Sequence, residues 1–226
     1  MADWTSEEKK EAFVDQLLKW WDRNKRDFPW RHTKNPYDVL IAEMLLRKTT
    51  AQQVEKIYND FLNRYPNSKA LAEADENELK KMLRPLGMEH ARAKLLKRFG
   101  AVVEEEYGGV IPSDYAVLLK LPGVGMYATN SVLSLVYSKD VPMVDTNFIR
   151  IVERVFGFKS RKARARCDKE LWEFAQKLVP KGASREFNLA VLDLAAAVCT
   201  ARTPQCSKCP LTAVCAYFKN VKDAHS

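Results

Sequence analysis

Apolar residues recur along this chain at three- and four-residue spacing, which is the pattern of helices that bury one face. In residues 6–22, for example, Phe13, Leu17, Trp20 and Trp21 form one stripe. Further helical patterns cover 54–62, 79–83, 90–107, 164–179 and 184–198. No segment alternates apolar and polar residues between hairpin turns, as strands would. The pattern therefore predicts an all-α protein.

Local signals refine this helical pattern. Thr49 or Thr50, with Gln52 or Gln53 three residues later, predicts a capping box at a helix start. Residues 37–47 are apolar on most sides, which predicts a buried helix, yet Glu43 lies in its middle. A carboxylate there faces a cleft, pairs with an arginine or has a raised pKa. These alternatives stay open on the residues alone.

Composition and charge narrow the class of partner. Hydrophobic residues make up 46% of 226, as in ordinary globular proteins, and no apolar run approaches the roughly 18 residues of a membrane span. We therefore expect a soluble intracellular protein that has no membrane partner. The net charge of +8 and the pI near 9.2 favour a polyanion, with nucleic acid ahead of a membrane surface.

Four of the five cysteines fall within seventeen residues near the C-terminus: Cys199, Cys206, Cys209 and Cys215. Disulfides do not suit an intracellular chain, and structural zinc sites usually have two short-spaced ligand pairs, whereas this segment has one. The spacing C-x6-C-x2-C-x5-C favours a 4Fe-4S cluster over zinc. Cys167 lies outside the spacing and is interpreted as an ordinary residue.

The segment LPGVG, residues 121–125, places two glycines between two helical patterns. Such a turn exposes successive backbone N–H groups, and the next helix presents its positive N-terminus to an anion. Without side chains at Gly123 and Gly125, a phosphate can approach closely. A plain corner between two helices is the alternative interpretation.

Asp145 precedes the helical run NFIRIVERVF and is a candidate N-cap. Helix-terminal N–H groups would favour its ionised form and lower its pKa. A carboxylate kept ionised at neutral pH can stabilise a developing sugar oxocarbenium ion, as in glycoside cleavage. Capping and catalysis are compatible at this position.

Taken together, LPGVG, the segment VDTN at 144–147 and the four-cysteine tail resemble the helix-hairpin-helix, Gly/Pro-rich, aspartate (HhH-GPD) superfamily of DNA glycosylases. The resemblance is to the endonuclease III and MutY-like branch, and within it to the archaeal thymine/uracil mismatch glycosylases of the MIG type. It extends from DFPWR at 27–31 to the last cysteine.

The resemblance implies a two-lobed helical fold. Residues 30–138 would form a six-helix barrel with the hairpin, while 1–29 and 139–226 would form a domain holding the 4Fe-4S cluster on a loop at 199–215. Double-stranded DNA with a mismatch would be the partner, and the target nucleotide would rotate into a pocket between the lobes. A monomer in the cytoplasm of a prokaryote is expected.

The resemblance also implies roles for individual residues. Asp145 matches the catalytic aspartate, and Glu43 matches a glutamate that reaches the flipped base. Tyr127 stands where strand-cleaving relatives have a Schiff-base lysine, so a monofunctional enzyme that leaves an abasic site is expected. The remaining implied contacts are with DNA: the backbone through Leu121, Gly123, Val124 and Gly125, the gap in the duplex through Arg47 and Lys48, and a wedge at or near Leu189.

These matches predict removal of thymine, and also uracil, from mispairs with guanine. The chief alternative is a MutY-like enzyme that removes adenine opposite guanine or oxidised guanine. A non-catalytic mismatch-binding module and a zinc-stabilised nucleic-acid adaptor are alternatives of other classes.

Overall fold

The computed structural model describes residues 6–223, with side chains through residue 221. In this range the regular structure is helical and includes no strand, as the all-α prediction requires. Residues 1–5 and 224–226, which the predicted domain ranges include, lie outside it. The α-helices are α1 Glu7–Asn24, α2 Pro36–Leu45, α3 Ala51–Arg64, α4 Ser68–Ala72, α5 Glu76–Leu83, α6 Glu89–Tyr107, α7 Tyr115–Leu118, α8 Met126–Leu135, α9 Thr146–Phe156, α10 Lys169–Leu178, α11 Ser184–Ala197 and α12 Ala216–Asp223.

The chain separates into two compact units. The first unit joins the residues up to Arg26 to those from Ser138 onward, and the second unit is Asp27–Tyr137. The predicted barrel at 30–138 differs from the second unit by three residues at its start and by one at its end.

The first unit is built around α11 and α9. Helix α1 packs on α11, and both α11 and α12 pack on α9. Phe13 of α1 meets Phe156 of α9 and Phe187 of α11 edge to face, with ring centroids 5.1 and 6.2 Å apart. Such contacts add to the area term that dominates core stability. This core fixes the direction of α9, which carries Asp145 at its N-terminus.

A buried carboxylate fastens the end of α1 to α11 in the first unit. Asp193 is fully buried and accepts hydrogen bonds from Trp21 Nε1 at 2.8 Å and from Arg26 Nε at 2.6 Å. A charge at this depth requires such partners, because burial without them costs several kcal/mol. The N-terminal segment is therefore an integral part of the first unit.

Helix α2 is the centre of the second unit, in agreement with the buried helix predicted from its sequence. Val39, Leu40, Ile41 and Leu45 are at most 2% exposed. The helix packs against α3, α6 and α8, so apolar side chains surround it on most sides. A polar residue on α2 is consequently held in a defined position.

Two local features shape the rest of this unit. Thr50 and Gln53 form the predicted capping box at the start of α3. Gly100 lets α4 approach α6 closely, because a Cβ there would lie 2.7 Å from the carbonyl oxygen of Ser68. In the part of the chain that the structure describes, no helix combines the length and the apolar character needed to cross a membrane.

Candidate functional site

The predicted hairpin joins α7 to α8 in the second unit. Leu121 and Val124 are 2% and 6% exposed, and Val124 N–H donates to the Leu121 carbonyl at 3.0 Å. Gly123 has φ +79°, a left-handed conformation that other L-residues adopt only with strain. The side chains at 121 and 124 therefore anchor the turn, which leaves its backbone to face outward.

Gly125 is the N-cap of α8 and gives that helix no side-chain cap. A Cβ built at Gly125 would meet no atom within 4 Å, so the space beside it is open. Among the described residues, the N–H groups of Gly123 and Gly125 donate to no other backbone group. Open donors at a helix N-terminus suit an anion such as a phosphate.

Glu43 lies on α2 and faces α8. Ser131 Oγ donates a hydrogen bond to Glu43 Oε1 at 2.6 Å. Ser131 is fully buried, and Tyr127 lies four residues before it on the same face of α8. The α2–α8 packing therefore joins Glu43, through Ser131, to the helix that carries Tyr127. Sequence reasoning did not identify Ser131.

The predicted gap-filling residues follow α2 directly. Arg47 and Lys48 are exposed, and Lys48 has φ +55°. Met88, at the start of α6, is 53% exposed and also has a left-handed backbone, with φ +56°. Arg47, Lys48 and Met88 line one cavity of about 280 Å³. Two strained residues at one cavity are unusual enough to suggest a functional surface.

Leu189, predicted as a wedge, belongs to the first unit and is 5% exposed on α11. In this conformation the side chain exposes little surface, and its role as a wedge stays a prediction. Met88 is a further candidate, because it is large, apolar and exposed. No local sequence signal separated Met88 from an ordinary core methionine.

Asp145 caps α9 as predicted. Its Oδ1 accepts from Asn147 N at 2.9 Å and from Phe148 N at 2.8 Å, and its Oδ2 accepts from Asn147 Nδ2 at 2.7 Å. These three hydrogen bonds fix both carboxylate oxygens. The side chain is thereby held in one orientation at the positive end of the helix.

The predicted lowering of the Asp145 pKa is wrong. Burial raises the pKa above its ordinary value of 3.8, and it outweighs the hydrogen bonds from Phe148 and Asn147 and the charge of Arg150, which lower it. Desolvation disfavours the charged form, and the sequence did not show how deeply this carboxylate lies. A raised pKa suits a carboxylate that must react rather than only cap a helix.

The four C-terminal cysteines line a single small cavity, of about 20 Å³, in the first unit. Burial, together with the other three thiols, raises the pKa of Cys209 to about 11. Arg154 Nη1 lies 3.3 Å from Cys199 Sγ and also donates to the carbonyl oxygen of Thr200 at 2.7 Å. A set of thiols this close disfavours its own ionisation, and cationic iron would relieve that cost.

The four thiols are the candidate ligands of a metal centre. Among the described residues, no three His, Cys, Asp or Glu side chains are arranged to hold a single metal ion. Four cysteine thiols are the usual ligand set of a 4Fe-4S cluster. Cys167 is exposed and lies outside this cavity, as expected for an ordinary residue.

The chain belongs to the HhH-GPD superfamily of base excision DNA repair proteins, whose family model matches residues 41–177. The predicted family and fold class are confirmed.

Individual relatives agree over nearly the whole chain. A thymine/uracil-DNA glycosylase of Pyrobaculum aerophilum is 47% identical, and the match covers 92% of each chain. A thymine-DNA glycosylase of Aeropyrum pernix is 46% identical over 93% of this chain and 96% of the other. The solved structure of a thermostable thymine-DNA glycosylase matches with a TM-score of 0.90 and 40% identity, over 94% of this chain and 98% of that one. The predicted enzyme class, a DNA N-glycosylase of base excision repair, is confirmed.

Proposed function

We propose that the protein is a monofunctional DNA glycosylase that removes thymine and uracil mispaired with guanine and leaves an abasic site. The observation that carries the chemistry is Asp145, a carboxylate with both oxygens fixed and a pKa raised by burial. The choice of base is supported by the two similar proteins, a thymine/uracil-DNA glycosylase and a thymine-DNA glycosylase.

Asp145 is the catalytic residue of this proposal. Departure of the base leaves positive charge on the deoxyribose, and an ionised carboxylate stabilises that charge electrostatically. The same carboxylate orients and activates the attacking water. Its hydrogen bonds to Asn147 and Phe148 hold it in place without reorganisation during the reaction.

Glu43 recognises the excised base and Tyr127 determines the reaction type. Ser131 orients Glu43 by the 2.6 Å hydrogen bond, so the carboxylate presents a fixed acceptor. Tyr127 cannot form an imine with the sugar, because it has no amine. Hydrolysis without strand cleavage follows from this side chain.

The DNA contacts are of two kinds: contacts with the phosphate backbone, and side chains that fill the space left in the duplex. Leu121 and Val124 position the hairpin, and the N–H groups at Gly123 and Gly125 contact a phosphate independently of sequence. Arg47 and Lys48 occupy the space left by the rotated nucleotide. Met88 joins them at the same cavity.

Cys199, Cys206, Cys209 and Cys215 hold a 4Fe-4S cluster in this proposal. When bound, the cluster would cross-link the C-terminal loop through its four thiolate ligands. Arg150 of α9 acts through hydrogen bonds within the protein. It donates to the Cys199 carbonyl oxygen and to Asn147 Oδ1.

The active species is a monomer on duplex DNA that contains a mismatch, in the cytoplasm of a prokaryote. The two relatives described above come from Pyrobaculum aerophilum and Aeropyrum pernix. Sedimentation with and without a short duplex measures the stoichiometry, and one protein per duplex is expected.

Labelled duplexes with a single G·T, G·U or G·A mispair test the target base. The purified protein is incubated with each duplex, and alkali then breaks the strand at abasic sites. Breakage of G·T and G·U duplexes is expected, and breakage of G·A alone would establish the adenine alternative.

The Asp145→Asn variant should bind the G·T duplex yet release base roughly 100- to 10,000-fold more slowly. Mismatch binding by the wild-type protein without base release would indicate the non-catalytic module.

A further inference from the structure

Arg92 is a buried cation in the second unit whose partners are main-chain carbonyl groups. It is 6% exposed. Nη1 donates to the carbonyl oxygens of Met44 and Leu45 at 2.8 and 3.1 Å, and Nη2 donates to that of Arg47. Nε donates to the carbonyl oxygen of Gly87 at 2.9 Å. One guanidinium thus uses all three of its nitrogens.

Three of these acceptors lie at the C-terminus of α2 and in the turn that follows it. The last carbonyls of a helix have no partner within the helix and carry partial negative charge, so a cation there is favourable. Burial and the positive charge of Arg47 lower the pKa of Arg92, which shows that the location opposes the charged form. Burying the guanidinium costs desolvation free energy, and a less buried cation could stabilise the end of the helix equally well.

The hydrogen bonds of Arg92 connect the two sides of the cavity described above. One side consists of the end of α2 with Arg47 and Lys48, and the other consists of the start of α6 with Met88. Arg92 reaches the first side through the Arg47 carbonyl and the second through the Gly87 carbonyl. Each of these carbonyls immediately precedes a residue with left-handed backbone, Lys48 or Met88.

A non-glycine residue in this conformation costs about 1–2 kcal/mol, so the two strained residues need an external restraint. A hydrogen bond to the preceding carbonyl orients the peptide plane and restrains φ of the next residue. We propose that Arg92 is the positioning residue of mismatch recognition, because it holds the Arg47–Lys48 turn and the Gly87–Met88 turn in the conformations that meet the DNA. This inference rests on the proposed function, in which these turns fill the gap in the duplex.

The test compares Arg92→Met, Arg92→Lys and a matched control, Tyr58→Phe. The control removes another hydrogen bond of the second unit, from Tyr58 Oη to the Asp38 carbonyl at 3.0 Å, and neither residue lines the cavity. For each variant we would measure the melting temperature, the dissociation constants for a G·T duplex and a fully paired duplex, and the single-turnover rate of thymine release.

Arg92→Met should lower the preference for the G·T duplex over the paired duplex by roughly fivefold or more, within the range of coupling between contacting residues. Tyr58→Phe should lower the melting temperature while the preference stays at the wild-type value. Arg92→Lys keeps the charge but loses the fork of donors, so its preference should lie between those of the wild type and Arg92→Met. If Arg92→Met does not fold, Arg92→Lys alone carries the comparison with the control.

A double-mutant cycle separates a positioning role from general stabilisation. In a protein already carrying Arg47→Ala, Lys48→Ala and Met88→Ala, which removes the side chains that both turns present, the further change Arg92→Met should leave the preference nearly unchanged. Full additivity would overturn the inference, as would an unchanged preference in Arg92→Lys or Arg92→Met. Failure of the proposed function would look different, since the wild-type protein itself would then show no mismatch preference or no thymine release.

Discussion

Arg150 Nε donates to the carbonyl oxygen of Cys199 at 2.8 Å, and Arg150 Nη2 donates to Asn147 Oδ1 at 3.0 Å. Asn147 in turn donates to Asp145 Oδ2 at 2.7 Å. A continuous chain of hydrogen bonds therefore runs from the Asp145 carboxylate to the start of the cysteine loop. The loop and the carboxylate are mechanically linked through one face of α9.

We expect Arg150→Met to slow thymine release by about 10- to 100-fold, the usual loss when an outer partner of a site is removed. Asn147 would lose its partner, and the orientation of Asp145 would relax. Arg154→Met is a matched control, because Arg154 lies one turn further along α9 and contacts Cys199 and Thr200 but not Asn147. Arg154→Met should lower the iron content of the protein. The rate of thymine release, normalised to the amount of cluster present, should fall less. Equal effects of the two changes on both quantities would contradict this division.

Features encoded within a few residues could be predicted from the sequence. Thr50 and Gln53 form the expected capping box, and Asp145 caps α9, because a cap depends on side chains three residues apart. The buried character of α2 also followed from its composition. The all-α class and the family could be predicted for the same reason, because local patterns and short motifs indicate them.

Properties that depend on residues distant in sequence were missed. The pKa direction of Asp145 was wrong because burial, which decides it, depends on tertiary packing. The burial of Leu189 could not be predicted either, because an apolar helix pattern does not show which face of α11 is covered. The roles argued for Ser131 and Arg92 rest on contacts with partners 88 and 45 to 48 residues away. No spacing rule predicts such contacts.

The raised pKa of Asp145 predicts the pH dependence of base release. The reaction uses the ionised carboxylate, so the single-turnover rate should fall as pH drops through a pKa above the ordinary value of 3.8. An acid limb at or below that value would contradict the role of burial. A pH–rate profile of the enzyme with saturating G·T duplex measures it.

The same pKa has an opposite consequence for stability. Because the folded protein binds this proton more tightly than the unfolded chain, the contribution of Asp145 to stability is present at low pH and is lost as pH rises through the folded pKa. The melting temperature of Asp145→Asn relative to wild type should therefore be higher at neutral pH than at acid pH. A difference that does not depend on pH would argue against the shift.

Two glycines of the hairpin should respond differently to substitution. Gly125 has open space around it and an extended backbone, so Gly125→Ser should fold normally and gain a helix cap. Its side chain would nevertheless obstruct the phosphate, so DNA binding should weaken equally for mismatched and paired duplexes. Binding that stays at the wild-type level would contradict the phosphate grip.

Gly123→Ala should instead lower stability by about 1–2 kcal/mol, because φ is +79° and the new Cβ would approach Leu95 Cδ2 to 2.9 Å. Gly182→Ala is the matched control for strain, since Gly182 has φ +75° with nothing within 4 Å of an added Cβ. Thermal unfolding measures the loss of stability, and duplex binding measures any loss of DNA affinity. The Gly182 variant should lose stability and keep its DNA affinity.

The cysteine loop predicts an iron–sulfur protein. Cys206→Ser should abolish the brown colour and lower the iron and sulfide content, because it removes one of four thiolate ligands. Cys167→Ser, which changes an exposed cysteine outside the cavity, should leave all three properties unchanged. A colourless wild-type protein that contains zinc after anaerobic purification would overturn the assignment.

Tyr127 predicts how the enzyme differs from strand-cleaving relatives. Tyr127→Lys places an amine on the face of α8 that also carries Ser131, the partner of Glu43. A lysine near the reacting sugar can form a Schiff base, and borohydride reduces that imine to a stable covalent protein–DNA adduct. We expect the variant to give this adduct on G·T duplexes and the wild type to give almost none. Tyr127→Phe is the control, because it also removes the hydroxyl but supplies no amine. An adduct of equal yield in wild type would mean that another lysine, such as Lys120, reaches the sugar, and the monofunctional assignment would then be wrong.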